Sequence, residues 1–257
     1  MLKRYLNHSF MVSFVVAIAL VIAPSTFGFE GKWGTNVKEA LAALELLPGN
    51  ISDGKEIYDE ICANCHQVGG NGDPAGAFPQ LAGQHDTVVI KQIADIRAGN
   101  RDNPTMYPFT NVEALRAATE DMFGKPKSGA QVLADVSTYI QTLCMDPNTF
   151  KGPDDDLAHG EKLYKKNCVK CHMDHGQGLS KEYYPVIAGQ NFNYLMRQFQ
   201  WIKQGKRRNA NPDMVKQIAE FSERDLKAVL AYTSRRTVRL EDWAPAQRKL
   251  VQHCFKK

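Results

Sequence analysis

Several things are missing from this sequence. There is no low-complexity tract among its 257 residues, so nothing in the composition marks a disordered or fibrous chain. No segment shows the apolar/polar alternation of a half-buried strand, which argues against a sheet-based fold. The apolar run from Phe10 to Ala23 is too short to cross a bilayer comfortably. Cysteine is scarce, six in all, and four of the six fall into two short patterns that read alike.

The short apolar run has a role of its own. Lys3 and Arg4 precede it, and small residues surround Thr26, Phe27 and Gly28, so residues 1–28 read as a charged and then apolar signal peptide. The alternative is an uncleaved anchor, the one route to membrane contact. Either way the folded part is exported, to the periplasm or an equivalent compartment. There Cys144 and Cys254 are free to form a disulfide or to pack as separate small side chains; sequence gives no geometry to choose.

The other four cysteines spell Cys62-Ala63-Asn64-Cys65-His66 and Cys168-Val169-Lys170-Cys171-His172. C-x-x-C-H is the attachment motif of c-type haem, with two thioether tethers and the histidine as proximal iron ligand. A thioredoxin-like redox pair would need a βα unit, which is absent, and a four-cysteine zinc site would have to join pairs 106 positions apart. Shifting the chain by that same interval also superposes Gly54 on Gly160, Tyr58 on Tyr164, Pro79 on Pro185 and Ala-Gly-Gln 82–84 on 188–190. Further on it matches Gln92 with Gln198, Ile96 with Ile202, Gly99 with Gly205 and Arg101 with Arg207. The chain is two copies of one haem-binding domain.

Each copy reads as all-α. A helix runs into the cysteine motif, a glycine-rich stretch follows, and a second helix is stopped by a glycine; a last amphipathic helix closes the unit, Ser222 being the N-cap in the second copy. The boundaries are an N-terminal extension at 29–52, a first domain at 53–150, and a second domain at 151–257 that includes a C-terminal extension. Pro79 and Pro185 fix the loop, so that a neighbouring carbonyl can take the proximal histidine's other N–H.

Asn-Pro-x-Met occurs in both copies after the second helix, making Met106 and Met214 the candidate sixth ligands. Counting back from the last helix competes in the first copy. Met106 lies 33 positions before Tyr139, against 18 between Met214 and Tyr232, whereas Met122 lies 17 before Tyr139. The motif favours Met106 and the count favours Met122; about 15 residues beginning at Tyr107 are extra. Among the lone histidines, His85 and His159 read as surface residues, and His175 is too close to His172 to reach the opposite face.

Charge is divided unevenly. Residues 53–150 hold seven Lys/Arg against 13 Asp/Glu, and residues 151–257 hold 21 against 12. A basic half can mean nucleic acid, but an exported haem protein rarely meets it. The reading is a redox protein partner with an acidic surface, met by the second domain through Arg197, Lys203, Lys206, Arg207 and Arg208.

On "CANCH" and "CVKCH", "PQLAGQ" and "PVIAGQ", and "NPDM" followed by "SERDLKAVLAYTSR", the chain resembles the dihaem cytochromes c of the cytochrome c4 type, fusions of two class I cytochrome c domains. The likeness spans roughly 53–145 and 157–236. It implies two small all-α domains, each around one covalent haem with His/Met ligation, packed about a pseudo-two-fold axis. His66 with Met106 and His172 with Met214 would be the ligand pairs, and single electrons would pass between redox partners. The alternative function is a haem enzyme, or a redox subunit of a larger oxidoreductase, with one open iron acting on a small oxidant or a sulfur or nitrogen compound. Residues 29–52, the insertion after Met106 and residues 238–257 depart from the family pattern.

Overall fold

The computed structural model describes residues 36–256; the expected signal segment lies outside them. Thirteen α-helices follow in chain order, joined by loops and short 3-10 turns, and among the described residues there is no β-strand. None of these helices is long and apolar enough to cross a membrane.

The first domain opens with α1 (Asn36–Glu45) and α2 (Ile51–Ile57), the latter capped by the Asn50 side chain. A π-turn over Tyr58–Cys62 carries α2 into α3 (Ala63–His66). After the glycine-rich loop come α4 (Asp86–Arg97), α5 (Tyr107–Thr110), α6 (Val112–Phe123) and α7 (Gly129–Thr142). The second domain comprises α8 (Leu157–Asn167), α9 (Val169–His172), α10 (Phe192–Lys203), α11 (Pro212–Ala219) and α12 (Glu223–Ser234). A capping box between Ser222 and Asp225 starts α12. The chain ends in α13 (Pro245–Val251) and one further 3-10 turn.

The repeated residues hold each unit together in the same way. Gly54 lets α2 press against α7, where a Cβ would overlap the Asp135 carbonyl oxygen, and Gly160 does the same for α8 against the Ala228 carbonyl of α12. Tyr58 and Tyr164, both buried, donate their hydroxyls to the carbonyls of Gln67 and Met173, each at 2.8 Å. Those carbonyls belong to the residue after each C-x-x-C-H, so the repeated tyrosine pins the haem motif to its entry helix.

The extensions pack rather than trail. Ala40 and Ala43 of α1 form a small core with Ile90, Ala94 and Leu133, on the α4/α7 side of the first domain. The extra residues after Met106 fold as α5 and α6, with Asn111 capping α6. The C-terminal extension returns to the first domain: Cys254 is disulfide-bonded to Cys144, just past α7. Trp243 and Val251 pack with Val186, Ala188, Val238 and Met145, so the extension straps both domains.

The two domains meet through equivalent residues. Arg101 and Arg207 form an isolated antiparallel bridge, and each guanidinium reaches both Gln92 and Gln198. The glutamines of the two Ala-Gly-Gln motifs cross the seam reciprocally. Gln84 accepts from the Val186 N–H (2.9 Å) and donates to the Val186 carbonyl (3.0 Å); Gln190 accepts from the Gln80 N–H (3.0 Å) and donates to the Gln80 carbonyl (2.8 Å). Positions 80 and 84 are the repeat equivalents of 186 and 190, so this exchange is that of a two-fold interface.

Candidate functional site

Along this seam lies one connected cavity of about 1520 Å³, lined from both domains. Cys62, Cys65 and His66 face it from α3 and the turn before it; Cys168, Cys171 and His172 face it from α9 and the end of α8. The four thiols are free of disulfides. Burial pushes the Cys62 and Cys168 thiols up to about 12, which leaves them protonated and disfavours both a thiolate redox pair and thiolate zinc ligation.

Both motif histidines are buried, and burial holds each ring below the ordinary histidine value, so the imidazoles are neutral. His66 Nδ1 lies 3.1 Å from the Pro79 carbonyl oxygen, and His172 Nδ1 lies 3.0 Å from that of Pro185. With Nδ1–H donated, the tautomer is fixed and Nε2 keeps its lone pair. The prolines thus supply the accepting carbonyl themselves.

Met106 and Met214 both line the cavity. Met214 sits in the first turn of α11 behind the Asn211 cap, and Met106 is the cap residue of the short α5. Met122 is placed differently: it packs against the first domain's hydrophobic core from α6 and is not among the lining residues.

Apolar walls suit a large flat macrocycle: Val88, Val89, Ile96 and Ile140 on one side, Leu195, Phe199, Ile202 and Ile218 on the other. The charges are unbalanced in a telling direction. Seven Lys/Arg side chains line the cavity against three Asp/Glu, and Arg101 and Arg207 face each other at its centre. Burial and the neighbouring Arg101 push Arg207 down to about 10. Apart from Asp95 behind Arg207, the two guanidiniums have no carboxylate partner at hydrogen-bond distance, which fits a ligand that brings its own, as the propionates of haem do.

Arg101, Gln84 and Gln190 were on the sequence only as repeat matches without a role, and Arg207 was read as part of the basic cluster. Their signal was that they fall on the same shift as the cysteines. Two sequence expectations change, those for His85 and the basic cluster. His85 is not a surface residue: it is buried at the seam, its Nε2 2.8 Å from the Gln177 carbonyl, its Nδ1 accepting from Gln247 and its ring edge-on to Trp243. His159 is half-buried against Asp225, at 2.6 Å, and His175 Nδ1 lies 3.1 Å from Asp242. The basic cluster of the second domain is not one free face. Arg197 donates to the Gly76 and Ala77 carbonyls and Arg208 to that of Gly99, all in the first domain; Arg207 is in the seam and Lys203 donates to the Phe221 carbonyl.

Comparison with known proteins gives the same picture twice over. Residues 51–144 match the family model described as cytochrome c, and residues 155–232 match that of cytochrome c oxidase, cbb3-type, subunit III. The chain is 30% identical over 185 residues to a cytochrome c4 of Stutzerimonas stutzeri, covering 67% of this chain and 82% of that one. The chain belongs to the cytochrome c4 family. A thiosulfate dehydrogenase electron acceptor from Stutzerimonas stutzeri strain A1501 is 29% identical, over 75% of this chain and 90% of its own. The crystal structure of reduced cytochrome c4 from Pseudomonas stutzeri superposes with a TM-score of 0.58 at 23% identity, over 74% of this chain and all of that one; it shows the shared all-α fold. As a cytochrome c4-type protein the chain carries two covalently attached haem c groups and transfers electrons with redox partners.

Proposed function

We propose that the chain is an exported, periplasmic electron carrier whose two haems are each held by a histidine and a methionine. Cys62 and Cys65 tether the first and Cys168 and Cys171 the second; His66 with Met106 and His172 with Met214 are the iron ligands. One observation carries this reading: each motif imidazole commits Nδ1–H to a proline carbonyl and so offers Nε2 to a cavity that a methionine also lines. Haem held by these residues would supply the one-electron chemistry, and a thioether ligand from methionine would favour the ferrous state. The residues of the chain tether, orient, exclude water and, at Arg101 and Arg207, balance charge. The disulfide between Cys144 and Cys254 agrees with an oxidising compartment.

The partner surface is acidic in this proposal and meets the second domain. With Arg197, Lys203, Arg207 and Arg208 of the cluster engaged and Lys206 exposed, the exposed lysines lining that domain's cavity rim are Lys166, Lys170 and Lys216, near Asp213 and Glu220. A second reading rests on the relative that is named as the electron acceptor of a thiosulfate dehydrogenase. It makes this chain the redox subunit of an oxidoreductase acting on a sulfur compound, or an enzyme with one open iron.

The test of haem attachment is the mass of the denatured mature protein. Two haem masses should survive denaturation, one should be lost in Cys62→Ser/Cys65→Ser, and the other in Cys168→Ser/Cys171→Ser. A single haem in the wild type, or loss of both in one double variant with the other domain folded, would overturn the assignment.

A further inference from the structure

Two sets of contacts described above share the same peptide groups. The Pro79 carbonyl that takes the His66 ring proton and the Gln80 N–H held by Gln190 belong to one peptide unit. Likewise the Pro185 carbonyl at His172 and the Val186 N–H held by Gln84 belong to one unit. Each path therefore starts at a histidine of one domain, passes through a single amide and ends on a glutamine of the other.

We propose that Gln84 and Gln190 are positioning residues acting crosswise: Gln190 sets the histidine of the first haem, and Gln84 sets that of the second. This rests on the assignment of His66 and His172 as iron ligands. The geometry acts in two ways. A peptide is planar, so anchoring its N–H fixes the direction of its C=O, and with it the plane of the imidazole that donates there. An amide whose N–H is engaged is also a stronger acceptor at its oxygen, because hydrogen bonds in a chain polarise one another by about 10–30% per bond. A stronger bond from Nδ1–H makes Nε2 a better donor to iron and favours the ferric state.

The glutamines are built for this. Each uses both ends of its amide, oxygen toward the backbone N–H and nitrogen toward the carbonyl of the same residue, so the partners dictate the amide's orientation. Gln190 is buried, as is the Gln80 that it holds. Substituting either glutamine leaves its own domain's proline, histidine and tyrosine contacts in place. Each glutamine oxygen also takes the N–H of the next residue, His85 or Asn191, but its path to a proximal histidine runs only into the other domain.

The experiment follows the two haems separately by their own NMR signals during a redox titration of the full-length holoprotein. Gln190→Met should move the first haem about two- to fivefold toward ferrous, equivalent to roughly 20–40 mV at 59 mV per tenfold for one electron. The second haem should stay where it is. Gln84→Met should do the reverse. Thr87→Val, which removes an interdomain bond from the Thr87 hydroxyl to the Ser180 carbonyl (2.8 Å) away from both paths, should move neither. In the reduced protein the Nδ1–H of His66 should exchange faster in Gln190→Met and that of His172 in Gln84→Met. A shift in the glutamine's own domain, equal shifts in both haems, or none would overturn the proposal. Its premise fails separately: His66→Gly leaving the low-spin spectrum of the first haem unchanged would show that His66 is not a ligand.

Discussion

In the first domain His66 Nδ1 lies 3.1 Å from the Pro79 oxygen, and in the second His172 Nδ1 lies 3.0 Å from the Pro185 oxygen; the tyrosine anchors measure 2.8 Å in both. Around these matched centres the domains part. The first is enclosed: α1 covers α4 and α7, α5 and α6 are added after Met106, and the C-terminal extension is bonded to Cys144. In the second, Met214 in α11 leads directly to α12 without added helices, and the same extension lays Trp243 and Val251 on Val186 and Ala188. Their rims differ too, since Glu60 and Asn64 stand in the first domain where Lys166 and Lys170 stand in the second. The difference teaches that both domains keep a glycine contact, a tyrosine anchor and a proline carbonyl around the histidine whatever else is added. What surrounds that cradle sets stability and partners, and can change without disturbing it.

The enclosure can be broken at its strongest point. Cys144→Ser/Cys254→Ser opens a crosslink spanning 110 positions and should cost about 2–4 kcal/mol. Denaturant unfolding followed at each haem should show the loss at the first domain, and hydrogen exchange should rise at α7 and α13. Equal destabilisation at the second haem would mean that the strap supports both domains alike.

His85, which the strap covers, adds a pH dependence. Burial pushes His85 down to about 4, against an ordinary value near 6.5. The folded value is the lower one, so between these limits the unfolded chain binds the extra proton. Stability should therefore fall as pH drops from about 6.5 to about 4 and level off below that. The difference between wild type and His85→Gln, measured by urea unfolding across that range, should show this slope. A difference that is flat with pH would show that His85 does not titrate against folding.

Rim charge gives the smallest effect. Lys166→Glu/Lys170→Glu/Lys216→Glu should slow electron transfer to an acidic partner by about tenfold at low salt, within the range of electrostatic steering, and flatten the salt dependence. Glu60→Lys in the first domain should leave the rate unchanged. If Glu60→Lys changes it and the lysine reversals do not, the partner meets the first domain.

Much of this was legible because duplication doubles every signal. The cysteine motifs, both prolines and the helical character of each unit were readable from spacing alone, and the extra 15 or so residues after Met106 were countable. The roles of Gln84, Gln190, Arg101 and Arg207 were not, since they come from one copy facing the other and a linear repeat does not say how its copies dock. His85 was misread for the same reason: its cover, Trp243 and Gln247, comes from an extension more than 150 positions away. The basic cluster misled because charge density in sequence does not separate a free face from a seam. The sequence left Met106 and Met122 in competition because it does not show the cavity, which Met106 lines and Met122 does not.

The central claim is that both irons bind methionine, from Met106 and Met214. The weak far-red absorption of ferric haem with a thioether ligand reports this directly, in the wild type and in Met106→Ala, Met122→Ala and Met214→Ala. The account predicts two equivalents in the wild type, half lost in Met214→Ala, the other half lost in Met106→Ala, and none lost in Met122→Ala. Loss in Met122→Ala with retention in Met106→Ala, or one equivalent in the wild type, would contradict it.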